Sequence, residues 1–201
     1  MLNMRSIDVA ADLTSRARVR DAAILLFGEA GFHAVSIRQI AEHAGVSPAL
    51  VIHHFGNKEA LRDACDDHVV SFVATKAGDP IADLLEHITD YGRYIARMVT
   101  SGGDAGNALF DRLLDHARST VADGMREGRI RDSDDPESLA RVLVIQALAP
   151  LVLHAQLARV AGEPSLSRET LLAIAGPTAE IYSRGLFLDD ALVEAVAEAG
   201  R

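Results

Sequence analysis

The chain has 201 residues and a net charge of −9, and its 49% of apolar residues, dominated by Ala and Leu, favours an all-α globular fold. Its single cysteine, Cys65, excludes an internal disulfide framework and is expected to be a small buried side chain on a helix. The longest apolar stretch, residues 142–153, is shorter than the roughly 20 residues that cross a bilayer, and no signal peptide precedes it, so we expect a cytoplasmic protein.

The first predicted elements are a disordered arm over residues 1–13 and a helix over 14–30, which Gly31 ends. The apolar residues of this helix recur at the spacing of one buried face. They are Val19, Ala22, Ala23, Leu26, Phe27 and Ala30.

Two short helices follow. Ser36 and Gln39 form a capping box at the start of the second helix, which Gly45 ends. Ser47 is placed to cap a third helix with Pro48 at its first position, where the missing N–H costs nothing, and Gly56 ends it after about residue 54.

The remaining chain predicts longer helices, to a total of about nine with no strand. Their expected ranges are 57–76, 81–100, 105–127 with a break near 118–123, 136–161, and a last helix ending near Gly185. Gly78 and Pro80 separate the first two, and an exposed acidic loop covers 128–136.

Residues 36–55 have the pattern of a helix-turn-helix. A recognition helix must seat its N-terminal end in a major groove about 12 Å wide, and the small residues Ser47, Pro48 and Ala49 allow a close approach. Ser36 lies at a helix N-terminus, where N–H groups meet phosphate, and Arg38 is one turn into that helix.

The stretch SIRQIAEHAGVSPALVIHHFGNKEAL, residues 36–61, resembles the DNA-binding region of the TetR family of bacterial regulators. Matching features also include Phe27 and Gly31-Phe32 before the motif, and the likeness covers about residues 15–65. It implies a three-helix DNA-binding domain over 14–65 and a helical effector-binding and dimerisation domain over 66–201.

The resemblance also implies roles for individual residues. Arg38 would contact a base or phosphate, His53 would face the groove, and His54 and Lys58 would each contact a phosphate. The full set of implied DNA-binding residues is Ser36, Arg38, Ser47, Pro48, Ala49, Leu50, His53, His54 and Lys58. Ile52 departs from the family, which has a tyrosine there, so Ile52 must pack inside or touch a thymine methyl.

Several of these residues have alternative interpretations. His53 and His54 could form a metal pair, but adjacent helical residues point about 100° apart and seldom share one ion. Lys58 could be a solvated helix start. The arginines at 16, 18 and 20 fit a solvated face, or one could reach DNA.

Charged residues are distributed unevenly between the two parts of the chain. Residues 1–65 carry seven basic and seven acidic side chains, whereas residues 66–201 carry 13 basic and 22 acidic ones. All the excess acid therefore belongs to the second part, which permits a DNA-binding head on an acidic body.

The helical body predicts a dimer and an effector pocket. Residues 142–153 are apolar nearly all round, and 181–187 resemble the end of the family's last dimer helix, so a homodimer through 136–161 and 168–187 is expected. Candidate pocket residues are Tyr91, Tyr94, Met98, Leu113, His116, Gln146 and His154. Gln146 and His154 lie eight residues apart, about 12 Å along one helix, and are expected to line one cavity.

The leading hypothesis is a repressor that a small-molecule effector releases from a palindromic operator. The second hypothesis is an enzyme, with candidate catalytic or metal-binding residues at His87, Asp90, Asp115, His116 and His154. No catalytic, metal-binding or cofactor-binding motif accompanies these residues, so we expect no catalytic site, no metal ion and no cofactor. A DNA-binding protein without an effector is a third.

Overall fold

The computed structural model describes residues 4–76, 81–186, 195, 198 and 199. Throughout these residues the secondary structure is helical, with no strand, which confirms the all-α prediction. The helices are α1 (Met4–Ala30), α2 (Ile37–Ala44), α3 (Pro48–Phe55), α4 (Lys58–Lys76), α5 (Ile81–Thr100), α6 (Gly103–Arg126), α7 (Pro136–Val152), α8 (His154–Ala161) and α9 (Arg168–Arg184).

The chain forms two compact units, residues 1–154 and 155–201. In the first unit α1 packs mainly along α5 and also against α2 and α4, while α6 packs against α5 and α7. Most of the predicted α1 stripe lies in this core, since Val19, Ala23 and Phe27 are fully buried, whereas Ala30 at its end is exposed. In the second unit Leu171 of α9 is buried.

A glycine allows a close approach of α1 to α5. A Cβ atom added at Gly28 would lie 3.0 Å from the backbone nitrogen of Tyr94 and 3.2 Å from its Cα. Backbone atoms cannot rotate away as a flexible side chain can, so the two helices meet in van der Waals contact at this point.

The structure corrects two helix predictions. Helix α1 begins at Met4, within the arm predicted to be disordered, because residues 4–13 contain neither Gly nor Pro to stop it. The break expected near 118–123 is absent from α6. Ser119 and Thr120 donate to the carbonyl oxygens of Asp115 and His116, at 3.2 and 3.0 Å, so their hydroxyls are satisfied within an unbroken helix.

The helix predicted over 136–161 is also wrong, because it is interrupted at Leu153 and forms α7 and α8. Pro150 lies inside α7 and cannot donate to the carbonyl four residues earlier, which weakens the helix just before the interruption. No single described helix is long and apolar enough to cross a membrane, although α7 and α8 taken together pass that test by length and composition.

The other predicted boundaries agree with the structure to within one or two residues, the largest difference being the start of α6 at Gly103 instead of residue 105. Helix α4 follows Asn57, α5 ends at Thr100, the loop 127–135 precedes α7, and α9 ends before Gly185. The predicted break at Gly78 and Pro80 and the last residue of the segment 181–187 lie outside the described residues.

Candidate nucleic-acid interface

Helix α2 is fixed at both ends by its own sequence. The backbone N–H of Gln39 donates to Ser36 Oγ at 3.3 Å, and the backbone N–H of Ser36 donates to Gln39 Oε1 at 2.8 Å. These two hydrogen bonds complete the predicted capping box. Gly45 ends the helix in the left-handed region, at φ 65°, where a side chain would be strained.

Helix α3 begins and ends as predicted. Ser47 Oγ accepts the Leu50 N–H at 3.2 Å, Pro48 occupies the first helical position, and Gly56 ends the helix at φ 81°. The eight-residue α3 buries Val51 and Phe55 and leaves its opposite face uncovered. Two short helices joined by a tight turn therefore present one continuous outer surface.

The predicted DNA-binding residues lie on this outer surface. Leu50, His54 and Lys58 are half-buried, and the other six are exposed. The buried residues of α2 and α3 form a separate set on the inner side, namely Ile40, Ala41, Ala44, Val51 and Phe55.

Ile52 lies on the same surface and is 46% exposed. Ile52, which stands where the family has a tyrosine, was expected either to pack inside the domain or to contact a thymine methyl. Its exposure excludes packing inside. An exposed β-branched side chain on a recognition helix is available for apolar contact with a thymine methyl.

His54 is held from behind by α1. Its Nε2 lies 2.9 Å from Ser15 Oγ, a residue that is itself buried, and Arg16 places its guanidinium 5.0 Å from the centre of the Phe55 ring. The contact between Ser15 and His54 orients the imidazole, so a phosphate contact by His54 must be made with the ring in this position.

Lys58 begins α4 beside two aromatic rings. Its Nζ lies 4.3 Å from the centre of the Phe32 ring and 6.0 Å from that of Phe27, and burial lowers the pKa of Lys58. Asn57 Oδ1 accepts the Ala60 N–H at 2.7 Å and caps the helix.

His53 and His54 do not form part of a metal cluster. Their ring centres are 5.7 Å apart, and the described residues contain no group of three or more His, Cys, Asp or Glu side chains placed to hold a metal. Cys65 is fully buried, as predicted, and burial raises the pKa of its thiol, which disfavours the thiolate form.

Two of the predicted effector residues share a groove between α6 and α7. Leu113 and His116 line this groove, which has a volume of about 220 Å³. The sequence interpretation missed its other lining residues, although the α6 members recur at helical spacing. They are Val73, Ala117, Thr120, Leu143, Val144, Ala147 and Leu148.

The other predicted effector residues lie elsewhere. Tyr94 and Met98 belong to the buried core, and Tyr91 is half-buried, with its hydroxyl 3.1 Å from His68 Nε2. Gln146 and His154 are exposed and do not line the groove. The interruption at Leu153 breaks the single helix that was expected to carry both toward one cavity.

A buried acid next to this core was not predicted. Tyr94, which is 0% exposed, donates its hydroxyl to Asp66 Oδ1 at 2.6 Å, and Asp66 is 2% exposed. Burial raises the pKa of Asp66 to about 6, although the Tyr94 hydrogen bond opposes that rise. The two residues are 28 positions apart in the chain, so no local pattern connects them.

An all-helical chain with a capped, outward-facing helix-turn-helix defines a class of DNA-binding transcriptional regulators. Residues 19–65 match the sequence profile described as bacterial regulatory proteins, tetR family, and residues 86–188 match that of the tetracyclin repressor-like C-terminal domain. The chain belongs to the TetR family. It is therefore a DNA-binding transcriptional regulator and not an enzyme.

Individual relatives agree with this assignment. The chain is 40% identical to the HTH-type transcriptional regulatory protein RaaS of Mycobacterium tuberculosis, over 94% of this chain and 95% of that protein. It is similar in fold to GusR of Salmonella enterica, with a TM-score of 0.55 at 22% identity, covering 72% of this chain and 86% of that one. FadR of Bacillus subtilis, solved in complex with stearoyl-CoA, gives a TM-score of 0.54 at 16% identity, covering 85% and 99%. Regulators of this family bind operator DNA, act as dimers and bind small-molecule ligands.

Proposed function

We propose that the chain is a repressor that binds a palindromic operator as a homodimer and leaves it when a small molecule occupies the helical body. The observation that carries this proposal is the outer side of α2, α3 and the start of α4, where all nine predicted DNA-binding residues keep solvent access while the inner side of α2 and α3 is buried. A twofold dimer presents two such surfaces to half-sites one or more helical turns apart. Operator DNA lies in the cytoplasm, which is the location we propose.

We assign the DNA-binding domain to residues 14–65 and effector binding and dimerisation to 66–201. Within the first, Ser47, Pro48, Ala49 and Leu50 read bases at the exposed start of α3. Arg38 projects from the exposed face of α2 toward a base edge or phosphate. Ser36 meets phosphate through the N-terminus of α2, because unpaired helix N–H groups attract anions.

Replacing Arg38 tests the interface. The Arg38→Ala variant is expected to bind DNA from upstream of the protein's own gene about 5- to 150-fold more weakly, the range for one lost side-chain contact. Fluorescence anisotropy with a 30-bp duplex measures this, against a random duplex of the same length.

The matched control is Arg126→Ala, an exposed arginine of α6 that pairs with Asp123 on its own helix. It should bind the upstream duplex with unchanged affinity. Equal affinity of wild-type protein for upstream and random DNA, together with no effect of the Arg38 change, would contradict the proposal.

We propose that the groove between α6 and α7 holds the effector. Its lining is mainly apolar, and His116 offers a polar atom to fix orientation, which is the usual composition of a small-molecule site. Helix α6 also contacts α4, since Arg112 pairs with Asp67. A ligand that moves α6 can therefore displace α4, whose first residues belong to the proposed DNA-binding domain.

Filling the groove tests this site. In a thermal-shift screen of apolar small molecules, a ligand that raises the melting temperature of the wild-type protein should lose that effect with Leu113→Trp, because indole occupies the groove. Val160→Trp, at an exposed position of α8, is the control and should keep the shift. A ligand that stabilises both variants equally binds elsewhere.

A further inference from the structure

The Phe32 ring lies under two cations of α4. Lys58 Nζ is 4.3 Å from the ring centre and the Arg62 guanidinium carbon is 5.1 Å from it. Both distances are within the range in which the negative face of an aromatic ring attracts a cation. Phe32 is itself fixed, because it follows the α1 cap Gly31 and packs its ring 5.3 Å from the fully buried Phe27.

The local structure otherwise disfavours a cation at Lys58. Lys58 is the first residue of α4, where the helix dipole favours anions, and burial lowers its pKa. Glu59 is the only acidic residue in that first turn. The ring therefore supplies attraction that the backbone does not, and it does so without using the N–H donors of the ammonium group.

Arg62 shows that the ring replaces a hydrogen-bond partner. Its Nε is the only buried side-chain nitrogen or oxygen among the described residues that has no hydrogen-bond partner, and its guanidinium lies over Phe32. The other end of that guanidinium donates to Asp63 at 2.9 Å. Arg62 is thus held by a carboxylate of its own helix, which leaves Lys58 as the cation over the ring that is proposed to contact phosphate.

We infer that Phe32 is a positioning residue of the DNA interface: its ring holds the Lys58 ammonium at the N-terminus of α4 so that one phosphate is bound by both the ammonium and the helix N–H groups. This inference rests on the proposed phosphate contact of Lys58. Phe32 would then contribute to the affinity for DNA as well as to the packing of the domain.

Fluorinated phenylalanines at position 32 test the inference, because they weaken the negative face of the ring with little change in its size. In the full-length protein, anisotropy with the upstream 30-bp duplex should show affinity falling stepwise from Phe through mono-, di- and trifluoro-Phe. A total loss of about two- to fivefold is expected, the range for one exposed cation–π contact. The same series at Phe110, a half-buried residue of α6, should leave affinity unchanged.

Two backgrounds identify the cation. The fluorination trend should vanish with Lys58→Met and persist with Arg62→Met. A trend that survives Lys58→Met, a flat series in the wild-type background, or affinity that rises with fluorination would overturn the inference.

The failure of the underlying phosphate contact is separately visible. If Lys58→Met alone leaves both affinity and its salt dependence unchanged, the phosphate contact itself fails, whatever the fluorinated series shows. If Lys58→Met weakens binding and lowers the salt slope by about one while the fluorinated series is flat, only the role of Phe32 fails.

Discussion

Asp66 makes the stability of this protein depend on pH. Because burial raises its pKa to about 6, its folded form holds a proton more tightly than the unfolded form does. The resulting stabilisation is complete below about pH 4 and is lost as the pH rises through about 6.

Replacing Asp66 by asparagine should remove this dependence. An amide oxygen at the same place still accepts the Tyr94 hydrogen bond but does not titrate. Urea unfolding at pH 4 and pH 7 should show the variant gaining up to about 3 kcal/mol relative to wild type at the higher pH. The control Asp111→Asn, at an exposed site of α6, should show no such gain. If the free energies of unfolding of wild type and Asp66→Asn changed with pH in the same way, Asp66 would not be the group responsible.

Ile52 offers a test of base reading that does not depend on charge. If it contacts a thymine methyl, replacing that thymine by deoxyuridine should weaken wild-type binding by roughly fourfold, the value of one buried carbon. Ile52→Ala should bind the two duplexes equally. Sensitivity to uridine that is the same in both proteins would show that another residue makes the contact.

Among the helices, α7 has the clearest uncovered apolar face. Val142, Ile145 and Val152 are exposed at helical spacing, and Ile145 is 59% exposed. On α9, in the other unit, Leu172, Ile181 and Tyr182 are exposed. We propose that these faces form the homodimer interface, since monomers seldom leave such stripes in water.

A charge at the centre of the α7 face should separate the dimer. Ile145→Glu is expected to raise the dissociation constant of the dimer at least tenfold in analytical ultracentrifugation, because an unpaired carboxylate would be buried. Operator affinity should fall with it. Asn107→Glu adds the same charge at an exposed site of α6 and should leave both unchanged; a dimer insensitive to Ile145→Glu would place the interface elsewhere.

Helix boundaries were predictable where a few neighbouring residues decide them. Ser36 with Gln39, and Ser47 with Pro48, satisfy backbone groups within one turn, so sequence spacing is sufficient. The interruption after Pro150 was not predicted, because helices can absorb a proline or break at it according to their packing.

At the scale of the whole molecule, the outward-facing side of the helix-turn-helix could be predicted and the groove only in part. The motif residues are contiguous in sequence, whereas the groove needs α6 and α7 to pair, and Gln146 lies on the other face of α7. The polar Gln146 within the apolar stretch 142–153 was interpreted as a pocket residue, but an exposed position on a mostly buried helix gives the same sequence pattern. Contacts such as that of Asp66 with Tyr94 depend on tertiary packing alone.

The contact of Gly28 with the Tyr94 backbone limits how this regulator can change over evolutionary time. Any side chain added at position 28 places its Cβ atom 3.0 Å from the Tyr94 backbone nitrogen, so the backbones of α1 and α5 must shift by a few tenths of an ångström to accept it. Operator preference can therefore change through the exposed residues proposed to contact DNA, and effector preference through the proposed groove, without a change at position 28. Changes in either kind of specificity then leave the contact between α1 and α5 as it is.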